Sequence, residues 1–195
     1  MTAPIPPSPS PSLPPTQLDV RKFALSGDTL SGQDALLNYE RLTHDLKGLE
    51  ADLAGKTVSW SARGETVTPA GAATGDKGQV WLHLGVRSQV PMVCQRCLAA
   101  LEVPIDIHIP FRFVSDEATA LQEDEVVEED LLVLSKQFNL HDLIEDELLM
   151  ALPIVPKHDV CPGDVKLAST DDDFKAALTQ KPNAFAALGS LKKLG

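Results

Sequence analysis

The chain has 195 residues with 43% apolar and only 5% aromatic content, so one domain with tails and a mainly aliphatic core is expected. A formal net charge of −11 and a pI near 4.8 argue against broad electrostatic binding to nucleic acid, which needs clustered Lys and Arg, and favour a basic protein partner. Three cysteines are too few for a disulfide framework, and the odd number suits a reducing compartment.

Met1 to Thr16 lacks a basic n-region and an apolar h-region, and no run approaches a membrane span, so a cytoplasmic protein is expected. Residues 1–17 are Pro- and Ser-rich without apolar period and read as a disordered tail. Residues 18–165 read as one domain, and 166–195 as a C-terminal extension. Val20, Phe23 and Leu25 suggest an edge strand. Ser31, with Asp34 three residues on, reads as a capping box for a helix carrying Leu36, Leu37, Leu42 and Leu46 and ending near Gly48. Val58, Trp60 and Ala62 alternate with polar residues as a strand. Arg63-Gly64 reads as a turn, Glu65 to Thr68 as a returning strand and Ala70 to Gly78 as a loop.

Gln79 to Arg87 and Val90 to Val93 read as strands. After them, Glu102 to Phe113 alternates without a slip: Val103, Ile105, Ile107, Ile109, Phe111 and Phe113 face one way and the intervening polar residues and prolines the other. Short connections imply an antiparallel meander of four or five strands. Asp116 to Asp130 reads as an exposed acidic loop, and Leu131 to Leu134 as a further strand. Asn139 is an N-cap for a helix to about Leu152, with Leu140, Leu143, Ile144, Leu148 and Ala151 as its stripe and Pro153 as its stop. The fold class expected is therefore α+β: an antiparallel sheet with one or two helices on one face.

Cys94-Gln95-Arg96-Cys97 lies between two of these strands, and His158 and Cys161 repeat its three-residue offset. Three thiolates and an imidazole are a complete tetrahedral zinc set, with no open position, so a site they formed would be structural. The two halves are about sixty residues apart, and their meeting in space is an assumption of that reading. The alternative is a thiol-disulfide protein. Redox C-x-x-C pairs sit at a helix N-terminus, whereas Leu98 to Leu101 here leads into a strand. The chain shows no phosphate loop, nucleophile elbow or zincin helix, so no enzyme is expected. His44, His83, His108 and His141 are scattered and read as surface or satisfied histidines. Arg96, between the cysteines, is placed to pair with a carboxylate of Glu145 to Glu147 or to contact a phosphate. Asp171 to Asp173 can start a short helix through Leu178. Phe185, Leu188 and Leu191 fall on one helical face before Lys192 and Lys193, which suits docking to a partner or to ribosomal RNA, or packing back on the domain.

Cys-Gln-Arg-Cys after a strand, the acidic stretch, the run Glu145 to Pro156, the closing His158-Asp159 with Cys161, and Lys181-Pro182-Asn183-Ala184-Phe185 together resemble the YceD family, the large ribosomal RNA subunit accumulation proteins of bacteria. The resemblance runs from about Leu18 to the C-terminus. It implies a non-catalytic factor in large ribosomal subunit biogenesis, acting by binding, with a ribosomal protein or a pre-ribosomal large-subunit particle as partner. It supplies no mechanism.

Overall fold

The computed structural model describes residues 14–46, 48–68, 78–163, 169, 171, 173 and 174. The chain groups into two compact units, Met1–His158 and Asp159–Gly195, and every element named below belongs to the first. The Pro-rich start, most of the Ala70 to Gly78 stretch and the segment bearing Phe185 to Lys193 lie outside the described residues.

Five strands form one sheet in the order β1-β2-β3-β4-β5: β1 Thr29–Ala35, β2 Thr57–Val67, β3 Gln79–Val93, β4 Ala100–Val114 and β5 Asp130–Val133. The first four pair antiparallel, as the short connections require. β5 joins β4 in parallel instead. The connection is long enough because the acidic stretch is not a plain loop. It contains α4, Glu117–Glu123, whose N-cap Asp116 accepts the Thr119 N–H at 2.8 Å. The Arg112 guanidinium holds this segment to the sheet, donating to Glu123 at 2.6 Å and Glu129 at 2.8 Å.

Helices α1 Val20–Ser26, α2 Glu40–Asp45, α3 Glu50–Leu53 and α5 Leu140–Ala151 complete the fold. The first of these replaces the expected edge strand. Val20, Phe23 and Ala24 are its buried residues, at the i, i+3, i+4 offsets of a helix face, while Leu25 is exposed. Asp19 caps its start by accepting the Lys22 N–H, and Gly27 ends it at φ 66°. The expected cap at Ser31 is absent because Thr29–Ala35 is a strand. Its inward positions are Gly32 and Asp34, with Leu30 half-buried, so apolar alternation is nearly lost there. Leu36, Leu42 and Leu46 are buried as the helical reading requires, but through a 3-10 turn at Leu36–Asn38 followed by a short helix. Leu37 is exposed.

Arg63-Gly64 is not a turn: β2 runs straight through it. A Cβ on Gly64 would come within 2.6 Å of the Phe23 carbonyl oxygen and 2.8 Å of the Ala24 Cα. Glycine stands there because α1 lies directly on the strand. The core is the inner face of β2–β4 packed under α1, α2, α3 and α5, and includes Trp60, Leu82, Leu84, Val86, Phe111 and Leu148. Pro104 and Pro110 sit inside β4 where its far edge has no partner strand, since β5 reaches only Phe111 to Val114.

The register also fixes the outer face. Reading across β2, β3 and β4, successive outward rows are Ser59, Arg87 and Asp106; then Ser61, Gly85 and His108; then Arg63, His83 and Pro110; then Glu65, Trp81 and Arg112.

Candidate metal centre

The β3–β4 hairpin needs a connection of six residues, Cys94 to Ala99. Two backbone bonds close it: the Cys94 N–H donates to the Ala99 carbonyl at 2.9 Å, and the Leu98 N–H to the Cys94 carbonyl at 2.8 Å. Leu98 takes φ 60°, a left-handed conformation disfavoured for leucine, and is 76% exposed. The turn thus holds an unfavourable residue to keep a shape that turns both sulfurs the same way.

That shape gathers donors on one sulfur. Burial of Cys94 pushes its thiol up, but N–H groups of His158, Cys97 and Arg96 and the Cys97 side chain are directed at the sulfur and outweigh it, bringing the pKa down to about 5. A thiolate ringed by backbone N–H groups is the form that binds a soft cation.

The second half arrives from α5. Asn139 caps this helix by accepting the Asp142 N–H at 3.3 Å, and Leu140, Leu143, Ile144 and Leu148 bury its stripe, while Ala151 is exposed. The helix ends at Ala151, and Pro153 and Pro156 keep the following chain extended. The Gln95 N–H donates to the Pro156 carbonyl at 2.8 Å, tying that extended stretch to the hairpin turn. Two residues on, the His158 N–H donates to the Cys94 sulfur at 3.4 Å. Arg96 donates to the His158 carbonyl at 2.8 Å. Arg96 therefore holds the backbone of a candidate ligand residue; Glu145 accepts from Arg41, whose Nε donates to it at 2.7 Å.

The imidazole is oriented as a ligand. His158 Nε2 lies 3.1 Å from the Ala100 carbonyl, and Nδ1 lies 3.4 Å from the Cys97 sulfur. The carbonyl can only accept, so it assigns the proton to Nε2 and leaves the Nδ1 lone pair facing the sulfurs. The donor atoms of Cys94, Cys97, His158 and Cys161 all lie within 4.8 Å of one another. For a tetrahedral ion with metal–sulfur bonds of about 2.3 Å, neighbouring sulfurs sit about 3.8 Å apart, so only a small contraction separates this cluster from a coordination sphere. Donor chemistry, backbone support of the first sulfur and the tautomer of the histidine all fit zinc. Among the described residues, this is the group of His, Cys, Asp and Glu side chains that comes together in this way.

The other predicted residues stand apart from it. Phe185, Leu188, Leu191, Lys192 and Lys193 are outside the described residues. His83 and His108, read singly as surface histidines, share one face of the sheet, which only the register of β3 with β4 reveals. No helix among the described residues is long and apolar enough to cross a membrane.

A family model described as Large ribosomal RNA subunit accumulation protein YceD matches residues 82–192, more than half of the chain. No solved structure matches.

Proposed function

Because the chain belongs to the YceD family of large ribosomal RNA subunit accumulation proteins, we propose that it is a non-catalytic factor in large ribosomal subunit biogenesis that acts by binding a ribosomal protein or a pre-ribosomal large-subunit particle. The observation that carries this reading is the extent of the family match. It takes in the Cys94 turn, the α5 motif from Glu145 to Pro156, the His158 and Cys161 half-site and the terminal segment through Lys192.

The cysteine cluster supports a binding protein rather than a thiol enzyme. Cys94 is fully buried, and β4 begins at Ala100, so the turn runs into a strand and, among the described residues, no helix starts at the pair. Four protein donors leave no open coordination position, so the bound ion, zinc, would be structural. Its residues would clip the extended stretch after α5 to the β3–β4 hairpin. The terminal segment supplies the docking element in this reading: Phe185, Leu188 and Leu191 recur at helical spacing and Lys192 and Lys193 carry the only charge after residue 181.

The test is complementation in cells that lack the protein, reading the ratio of large- to small-subunit ribosomal RNA. The full chain should restore the ratio. A truncation lacking residues 181–195 should fold, since the core lies between Val20 and Leu148, yet fail to restore it. A normal ratio in cells without the protein would reject the reading. A normal ratio with the truncated chain would reject the docking role alone. Capture of the full chain's partners with and without ribonuclease treatment then separates a protein contact from one held by RNA.

A further inference from the structure

The outer face of β2–β4 has no role in the metal centre or the core. In a chain with 28 acidic and 17 basic residues, this face is locally different. Its rows from Ser59 to Arg112 carry three arginines and two histidines against two carboxylates, Glu65 and Asp106. Arg112 is held by Glu123 and Glu129 at one end, while Arg63 and Arg87 are 53% and 65% exposed.

Gly85 stands at the centre of the face. A glycine inside a long central strand weakens it and marks a place where something approaches the backbone closely. Here a Cβ at Gly85 would come within 2.9 Å of the Ser61 hydroxyl and 3.4 Å of the His108 ring. Beside this crowded glycine lies a hollow of about 510 Å³ whose charged and titratable lining is Arg63, His83 and His108, with Thr29 and Ser61 supplying hydroxyls and no carboxylate. A second hollow of about 490 Å³ continues along the same face, with Lys56, Arg87 and Asp106 as its charged lining.

Beside the first hollow, the rings of Trp81 and His83 stand nearly parallel, 14° apart, with centroids 6.5 Å from each other. Two residues apart on one strand, they offer two aligned ring faces on which bases can stack. Apart from the buried Arg112, the cations of the face make exposed pairs: Arg63 and His83 with Glu65 at 2.9 and 2.8 Å, Arg87 and His108 with Asp106 at 2.9 and 3.0 Å. Exposed pairs contribute little, so a phosphate can take either guanidinium from its carboxylate at small cost.

We propose that this face binds single-stranded RNA, with bases stacking on Trp81 and His83 and filling the hollow over Gly85, and with Arg63 and Arg87 meeting the backbone phosphates. The combination of stacking rings, hydroxyls and separated guanidiniums suits an unpaired strand, whose bases are free to stack. It does not suit a duplex, which would present only phosphates to a face with so few cations. The net charge of the chain forbids wide coating of RNA and leaves this local patch as the place of contact. The proposal rests on the reading above, in that ribosomal RNA offers unpaired segments to such a factor.

The test uses the full chain and a fluorescein-labelled single-stranded RNA dodecamer of mixed sequence, read by anisotropy across a salt series, with a duplex of the same length as control. The wild type should bind the single strand and bind the duplex at least tenfold more weakly. Trp81→Ala should weaken binding by about tenfold, the scale of one lost base stack. Arg63→Ala with Arg87→Ala should weaken it and flatten the salt dependence by more than one phosphate contact, each worth a slope of about 0.7 on a single strand. These side chains point away from the core, and thermal melts by circular dichroism confirm folding; Arg63→Lys with Arg87→Lys should keep most of the binding and serves as the second variant set. Absence of RNA binding by the wild type, or binding unchanged in the alanine variants, overturns the proposal. In the complementation assay, alanine variants that restore the ribosomal RNA ratio in full would also overturn it and leave the accumulation role standing.

Discussion

The inner face of β2–β4 is mainly Val, Leu, Ile, Trp and Phe under four helices, and the outer face of the same strands is Ser, Arg, His and Trp, with Glu65, Asp106 and Pro110, around one glycine. The strands cannot tell the faces apart by backbone: alternation alone assigns them. What differs is the kind of constraint on each. Inside, volume and apolar area decide, and a change is felt as stability. Outside, charge and ring orientation decide, and a change is felt as binding. The helix α5 carries the same contrast in miniature. Glu145 and Glu147 are equally buried, 4% and 5% exposed, but the first is neutralised by Arg41 while the second faces Asp130 and Asp146.

The comparison breaks most visibly at Leu148. This side chain is fully buried on the inward stripe of α5, and Leu148→Ala should cost about 2–5 kcal/mol in denaturant unfolding. A loss under about 0.5 kcal/mol would mean that α5 does not cover the inner face as described.

Arg41→Ala should come next. Glu145 accepts from the Arg41 N–H and Nε, both at 2.7 Å, and would keep only part of that support. Truncating the partner of a buried carboxylate costs about 3–5 kcal/mol, but the Arg41 side chain is half exposed and solvent screens the loss, so about 1–3 kcal/mol is expected. Arg41→Ala with Glu145→Gln should recover part of it, because the buried charge is gone.

Glu147 should respond in the opposite direction. Burial, then Asp130 and Asp146, raise its carboxyl above the ordinary 4.5. A carboxyl raised on folding contributes stability that is fully present below its unfolded pKa and lost as pH rises through the folded one. Glu147→Gln removes that loss, so the variant should gain on the wild type between pH 4 and pH 7. Denaturation midpoints at both values check it; an equal difference at the two would show that Glu147 is ionised without penalty.

The smallest effect belongs outside. His108 is 65% exposed and pairs only at the surface, so His108→Ala should move stability by less than about 0.5 kcal/mol. A larger loss would place the outer face under a neighbouring element rather than in solvent.

The sequence made β4 and α5 readable because each signal is local: twelve alternating residues in one, an N-cap, an apolar stripe and a stopping proline in the other. β1 was hidden because two of its inward positions are Gly32 and Asp34, the latter held by the Tyr39 hydroxyl at 3.1 Å rather than by apolar contact. Val20, Phe23 and Ala24 suit a helix face, yet a seven-residue helix offers too few turns to outvote an alternating reading. Gly64 looks like punctuation and is instead a contact surface for α1, a reason that lies forty residues away in the chain. The same limit divided the candidate metal centre. Three-residue offsets within Cys94–Cys97 and His158–Cys161 were visible, while their meeting depended on the bond from Gln95 to Pro156. Arg96 reads from the sequence as pairing with a carboxylate of Glu145 to Glu147 or meeting a phosphate; in the structure it donates to the His158 backbone carbonyl, an acceptor that no side-chain pattern announces.

The central proposal is that Cys94, Cys97, His158 and Cys161, whose donor atoms lie within 4.8 Å of one another, would hold one structural metal ion. Protein purified under reducing conditions should carry one equivalent of zinc by elemental analysis, and its thiols should react slowly until a chelator removes the ion. Cys97→Ser should lose the metal and lower the melting temperature. Metal-free protein whose three thiols titrate at once, and whose stability is unchanged by added zinc or by Cys97→Ser, would contradict the account.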